Sequence, residues 1–180
     1  MAADFPLDPI VATFARHGLR KTSMADVAAA LGVSRQALYL RYGSKGALIE
    51  WATKGLIDTS LAAALASIEQ PTKTLVDRLA DAFDAWVGRH MAALHASPHG
   101  VEIVAMLQRD PPDAVRAAER RLVAAMAEAI RMSGPGSAVA RAGSMAQALC
   151  WTARGLVHAV PDHPAFRRQL DHIVGALVAR

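Results

Sequence analysis

Several ingredients are scarce in this sequence, and each scarcity removes a class of protein. There is one cysteine, Cys150, so no intrachain disulfide can form, which suits a reducing compartment. No stretch approaches the roughly 20 apolar residues that a membrane-spanning helix needs. The first nine residues carry Asp4 and Asp8 and lack the basic-then-apolar pattern of a secretion signal. A cytoplasmic protein that meets no membrane is the expectation. Aromatic residues make up only 5% of the chain, and no run alternates apolar and polar side chains as a half-buried strand does. Sheet is therefore not expected. There is no HExxH pair, no paired cysteine ligands and no glycine-rich phosphate loop. His90, His95 and His99, and likewise His158, Asp162 and His163, straddle helix breaks. Cys150 sits in an apolar run with no adjacent base and reads as a buried, inert thiol. Catalysis, a bound metal and a cofactor are not expected.

What is present is helix. Hydrophobic residues are 53% of the chain and charged residues 20%, enough apolar material for a packed core. Much of it is alanine, the strongest helix former. The spacing predicts an all-α fold of about nine helices. The first runs from Leu7 to His17, with Ile10, Val11 and Phe14 as its stripe and Gly18 as its stop. Ser23 and Asp26 form a capping box that opens a helix to about Leu31. Ser34 caps a third from Arg35 to about Arg41, and Ser44 caps a fourth through Leu65. Pro71 starts a fifth, with Leu75, Leu79, Phe83, Trp86, His90 and Leu94 in line. A sixth covers about Gly100 to Gln108. A seventh follows Pro112, with Val115, Leu122, Met126 and Ile130 inward. An eighth ends near Ala159, and a ninth carries Phe166, Leu170, Ile173, Val174 and Leu177.

The stretch from Thr22 to Lys45 is the informative one. Two short helices joined by a tight turn at Gly32 make a helix-turn-helix, with Val27, Leu31, Val33 and Leu38 placed to pack the pair. The second helix is then presented outward, and a DNA major groove is about wide enough for one helix. Residues 1–46 hold +3 of the chain's formal +4 charge, an asymmetry suited to a polyanionic partner. A solvated basic face is the plainer alternative.

This stretch and the helix before it resemble the N-terminal domain of the tetracycline-repressor (TetR) family. The residues that carry the likeness are Phe14-Ala15, Gly18, Thr22-Ser23, Val27-Ala28, Leu31-Gly32-Val33-Ser34, Leu38-Tyr39, Tyr42, Ser44-Lys45 and Leu48. The resemblance implies a DNA-binding domain at 1–46 and an effector-binding and dimerisation domain at 47–180. It places Thr22, Ser23, Ser34, Arg35, Gln36, Tyr39, Arg41, Tyr42 and Lys45 at double-stranded DNA. Ser23 marks a helix N-terminus suited to a phosphate. Arg35 and Gln36 have the chemistry to read guanine and adenine. Tyr39 and Tyr42 offer hydroxyls to phosphates, and Lys45 neutralises one. Ordinary packing of the small domain is the plain alternative for the two tyrosines. The sequence departs from the family at Arg41, where His is frequent, at Tyr42, where Phe is frequent, and at Gly46, a poor helix former.

The resemblance further implies a homodimer on a pseudo-palindromic operator, joined through the last two helices by Leu149, Leu156, Phe166, Leu170, Ile173 and Leu177. It implies a small, largely apolar effector of unknown identity, in a pocket for which Phe83, Trp86, His90, Met91, Met106, Met126 and Trp151 are candidates. The same Met and aromatic residues at helical spacing also suit a plain core. The expected output is repression relieved by the effector. The competing reading is a helical interaction or metal-sensing protein without a small organic effector.

Overall fold

The computed structural model describes residues 4–91, 99–100, 111–133 and 136–178. Among them lie eight α-helices of two turns or more and no strand. They are α1 (Leu7–His17), α2 (Met24–Leu31), α3 (Arg35–Tyr42), α4 (Lys45–Ile68), α5 (Leu75–Trp86), α6 (Asp113–Ser133), α7 (Ala142–Ala159) and α8 (His163–Val178). A 3-10 turn at Gly88–His90 and one helical turn at Gly136–Val139 complete the set. The all-α expectation holds among the described residues, which show eight such helices against about nine expected for the chain. The sixth expected helix falls, beyond Gly100, outside the described residues. No described helix is long and apolar enough to cross a membrane.

The fifth helix is shorter than its apolar spacing predicts. It starts at Leu75, where the Thr74 hydroxyl accepts the Asp77 amide (3.1 Å) and donates to the Asp77 carboxylate (2.7 Å), so Pro71 lies in the preceding turn. It ends at Trp86, and His90 belongs to the 3-10 turn. The turn passes close to α8 because Gly88 has no side chain. A Cβ there would stand 2.8 Å from the Phe166 ring and 2.5 Å from Asp84 Oδ1.

The chain divides into two compact units, and the division runs through α4 between Ile57 and Asp58. The first holds α1 to α3, the start of α4, and the described residues His99, Gly100, Pro111 and Pro112. Its core is one cluster of Ile10, Phe14, Met24, Val27, Ala28, Leu38, Leu48 and Ala52. Leu31 and Val33 pack against its edge, so the four residues expected to hold the helix-turn-helix together do so. The second unit is a helical bundle in which α7 lies along α6 and α8, and α8 along α5. Leu79, Phe83, Met91, Leu122, Met126, Ile130, Leu149, Phe166 and Leu170 form its fully buried interior.

Polar ties brace this bundle at its surface. Asp81 of α5 receives Lys73 Nζ and Arg167 Nη1 of α8, each at 2.6 Å, and Arg167 also reaches Asp171 at 2.9 Å. Partial burial alone would raise the Asp81 pKa. The hydrogen bonds and charges of Lys73 and Arg167 outweigh it and hold the carboxyl below its ordinary value. Asp84 pairs with His163.

Candidate nucleic-acid interface

The interface is built from local capping. Ser23 closes the N-terminus of α2 reciprocally: its Oγ accepts the Asp26 amide at 3.3 Å, and its own amide donates to Asp26 Oδ2 at 2.8 Å. The Ser23 amide first, and second the Ser23 hydroxyl, which donates to the same carboxylate oxygen at 2.7 Å, lower the Asp26 pKa. Gly32 ends α2 in the left-handed conformation (φ 67°), which only a residue without Cβ adopts freely, and its amide returns to Ala28 and Ala29. Ser34 Oγ then accepts the Ala37 amide at 3.1 Å and opens α3. Gly32 and Ser34 shape the turn through which α3 leaves α2.

One side of α3 is spent on the core and the other is free. Leu38 is fully buried and Tyr42 partly so, whereas Ser34, Arg35, Gln36, Tyr39, Leu40 and Arg41 are exposed. Tyr39 is 44% and Leu40 81% exposed. Arg35, Gln36 and Tyr39 therefore stand together on the outward face, as the sequence pattern predicts. Ser34 shares that end of the helix. Lys45 is anchored rather than loose: its Nζ donates to the Arg20 carbonyl at 2.9 Å. An ammonium has three protons, so this bond leaves capacity for a phosphate.

Two expected DNA contacts are corrected. Thr22 is buried at 1% exposure, and its hydroxyl donates to the Gly18 carbonyl at 2.7 Å, so its side chain belongs to the α1–α2 junction. Tyr42 is a packing residue. Its ring lies 5.0 Å from that of Trp51 and 6.2 Å from that of Phe5, and its hydroxyl is buried with no hydrogen-bond partner among the described residues. Burial is the largest influence on its phenol and pushes it above the ordinary value. Arg41, exposed as expected, pairs with Asp4 ahead of α1. Sequence reasoning missed both Leu40 and the Asp4–Phe5 contacts. The signal for Leu40 was the helical spacing, which sets it nearly opposite the inward Leu38, whereas a pairing across the domain leaves no local pattern.

The second unit also rearranges the expected residues. Phe83, Met91 and Met126 are fully buried in its core, Trp86 and His90 are half-buried, and Met106 lies outside the described residues. His90 Nε2 lies 2.9 Å from the hydroxyl of buried Ser60. Trp151 is corrected: it is 64% exposed on α7, because Leu149, Cys150 and Ala153 occupy the inward side of that helix. Leu149, Phe166 and Leu170 are corrected too. They are fully buried within this single chain, while Leu156 and Ile173 are half-buried and Leu177 is exposed. Burial is the largest influence on the Cys150 thiol and pushes its pKa to about 11, which keeps it protonated and unreactive at neutral pH. No group of three His, Cys, Asp or Glu residues among those described gathers as a metal site.

A capped pair of short helices, the second bare on its outer face and basic, forms a helix-turn-helix, the arrangement that DNA-binding domains present to a major groove. Residues 7–52 match the family model described as bacterial regulatory proteins, tetR family. No curated protein sequence matches the chain significantly. Solved structures share its fold at low identity. A TetR-like transcriptional regulator from Rhodococcus sp. RHA1 is 23% identical, with 93% of this chain and 90% of that one covered and a TM-score of 0.65. Salmonella enterica GusR is also 23% identical, with 97% and 93% covered and a TM-score of 0.65. PfmR of Thermus thermophilus, a TetR family transcriptional regulator, is 17% identical, with 93% and 96% covered and a TM-score of 0.65. Residues 7–52 therefore carry the N-terminal domain that this family model describes, and the chain as a whole shares the fold of these solved regulators.

Proposed function

We propose that the chain is a homodimeric repressor that reads a pseudo-palindromic operator through α3 and leaves it when a small, largely apolar effector binds, with no cofactor. The observation that supports the reading most directly is the outward face of α3, where Arg35 and Gln36 are exposed and stand clear of the core. Arg suits guanine O6 and N7, and Gln suits adenine N6 and N7. Two copies on a two-fold axis would place these residues in half-sites one helical turn apart, about 10 base pairs.

Support for a second copy comes from α7. Trp151 is exposed, with Ala148 and Gly155 one turn to either side, and Leu177 is exposed on α8. A large ring bordered by small residues suits close packing against another helix. Support for an apolar effector comes from the second unit's interior, where half-buried Trp86 and His90 border fully buried Phe83 and Met91 in sequence. Helix α4 begins in one unit and ends in the other, and is the natural carrier of a change between them. The effector must bind the DNA-incompetent form more tightly, or it shifts nothing.

The test is selection of duplex DNA from a random library by the full chain. Enrichment of a two-fold sequence is expected, with Arg35→Ala weakening it by about 1–3 kcal/mol. Affinity should fall steeply with salt as phosphate contacts release counterions. Failure to enrich any sequence, or Arg35→Ala binding like the parent, would overturn the DNA reading. Sedimentation showing a monomer at micromolar concentration would overturn the dimer. Native mass spectrometry of the purified protein looks for a co-purified ligand, and a ligand that binds without changing operator affinity would overturn the effector role.

A further inference from the structure

Leu40 is the most exposed large hydrophobic residue among those described, at 81%. It lies in a regular helix, so its position is set by the helix and not by a wandering loop. With about 100° of turn per residue, Gln36 and Leu40 fall one above the other, each nearly opposite the buried Leu38. They form the central ridge of the outward face, with Tyr39 and then Arg35 along one flank. Folding gains almost nothing from Leu40, since a leucine contributes to stability only through the area it removes from water. The partner that covers it must also suit Arg35 and Gln36 beside it, on the segment that holds most of the chain's excess positive charge. A polyanion whose recessed surface offers hydrogen-bonding edges and an apolar group meets all of these demands. In duplex DNA that apolar group is the thymine 5-methyl of the major groove.

We propose that Leu40 is a specificity-determining residue that reads a thymine methyl in each half-site. This rests on the DNA reading proposed above. One helical turn rises about 5.4 Å and stacked bases about 3.4 Å, so the thymine lies one or two steps from the base pair that Gln36 reads.

The experiment takes the selected operator and replaces each thymine by uracil in turn, which removes only the 5-methyl. Binding by the full-length parent and by Leu40→Ala is followed by fluorescence anisotropy. The parent should lose about threefold to fivefold at one thymine per half-site, the worth of one buried methyl. Leu40→Ala should bind thymine and uracil sites equally at that position, with its thermal midpoint unchanged because the residue is exposed. Equal binding of thymine and uracil sites by the parent at every position overturns the proposal, as does unchanged discrimination by Leu40→Ala. In either case Arg35→Ala still weakens binding if the DNA reading stands. If Arg35→Ala also has no effect, the DNA reading itself has failed and Leu40 goes with it.

Discussion

Asp4 and Arg41, 37 residues apart, form an ion pair that ties the segment before α1 to the last turn of α3. Phe5, the next residue, lies against the Tyr42 ring and holds the segment in place. Both charges are partly exposed, so the pair itself is worth about 0–1 kcal/mol. A phosphate approaching Arg41 must compete with this carboxylate. Asp4→Asn should therefore tighten binding to the selected operator by up to about fivefold. The slope of log affinity against log salt should steepen by about 0.9 for each further phosphate that the freed guanidinium neutralises. Anisotropy titrations at several salt concentrations check this. Equal affinity and equal slope would show that Arg41 takes no part in DNA binding.

Tyr42 packs against Trp51 with its hydroxyl buried. Tyr42→Phe should leave DNA affinity unchanged and hold or raise stability, by up to about 1 kcal/mol, because it removes a buried polar atom that makes no hydrogen bond. Urea unfolding and the same titration decide the point. A tenfold loss of affinity at unchanged stability would restore Tyr42 to the phosphate contacts.

Asp81 links acidity to the stability of the bundle. Its folded-state pKa lies below the ordinary value, so its contribution is present at neutral pH and disappears as pH falls through and below the ordinary carboxylate range, near 4. The unfolded chain takes up the proton first, and acid therefore favours unfolding. Asp81→Asn should cost roughly 1–2 kcal/mol at pH 7 and flatten stability against pH between about 5 and 3. Urea midpoints across that range test it; parallel curves for the two proteins would contradict the assignment.

Two glycines should respond in opposite directions to alanine. At Gly46 a Cβ meets only Ser44 Oγ at 3.7 Å, and α4 gains a better helix former. A rise of up to about 1 kcal/mol is expected. At Gly88 the Cβ would press on the fully buried Phe166 ring, and a loss of about 1–3 kcal/mol is expected from overpacking. Thermal midpoints of the two variants should move apart.

The sequence by itself determined the helix-turn-helix. The Ser23–Asp26 box, the Ser34 cap and the Gly32 turn act over four residues or fewer, so neighbouring side chains specify them whatever the rest of the chain does. Tertiary structure alone decided which apolar side chains were spent. Trp151 and Leu149 sit two residues apart in α7, and either side of that helix could have turned inward. Packing against α6 and α8 took Leu149 and left Trp151 outside. Tyr42 left the expected DNA-binding set for the same reason, since its partner Trp51 comes from another element. Burial is settled by the total area removed from water across distant segments, and no local spacing records that sum.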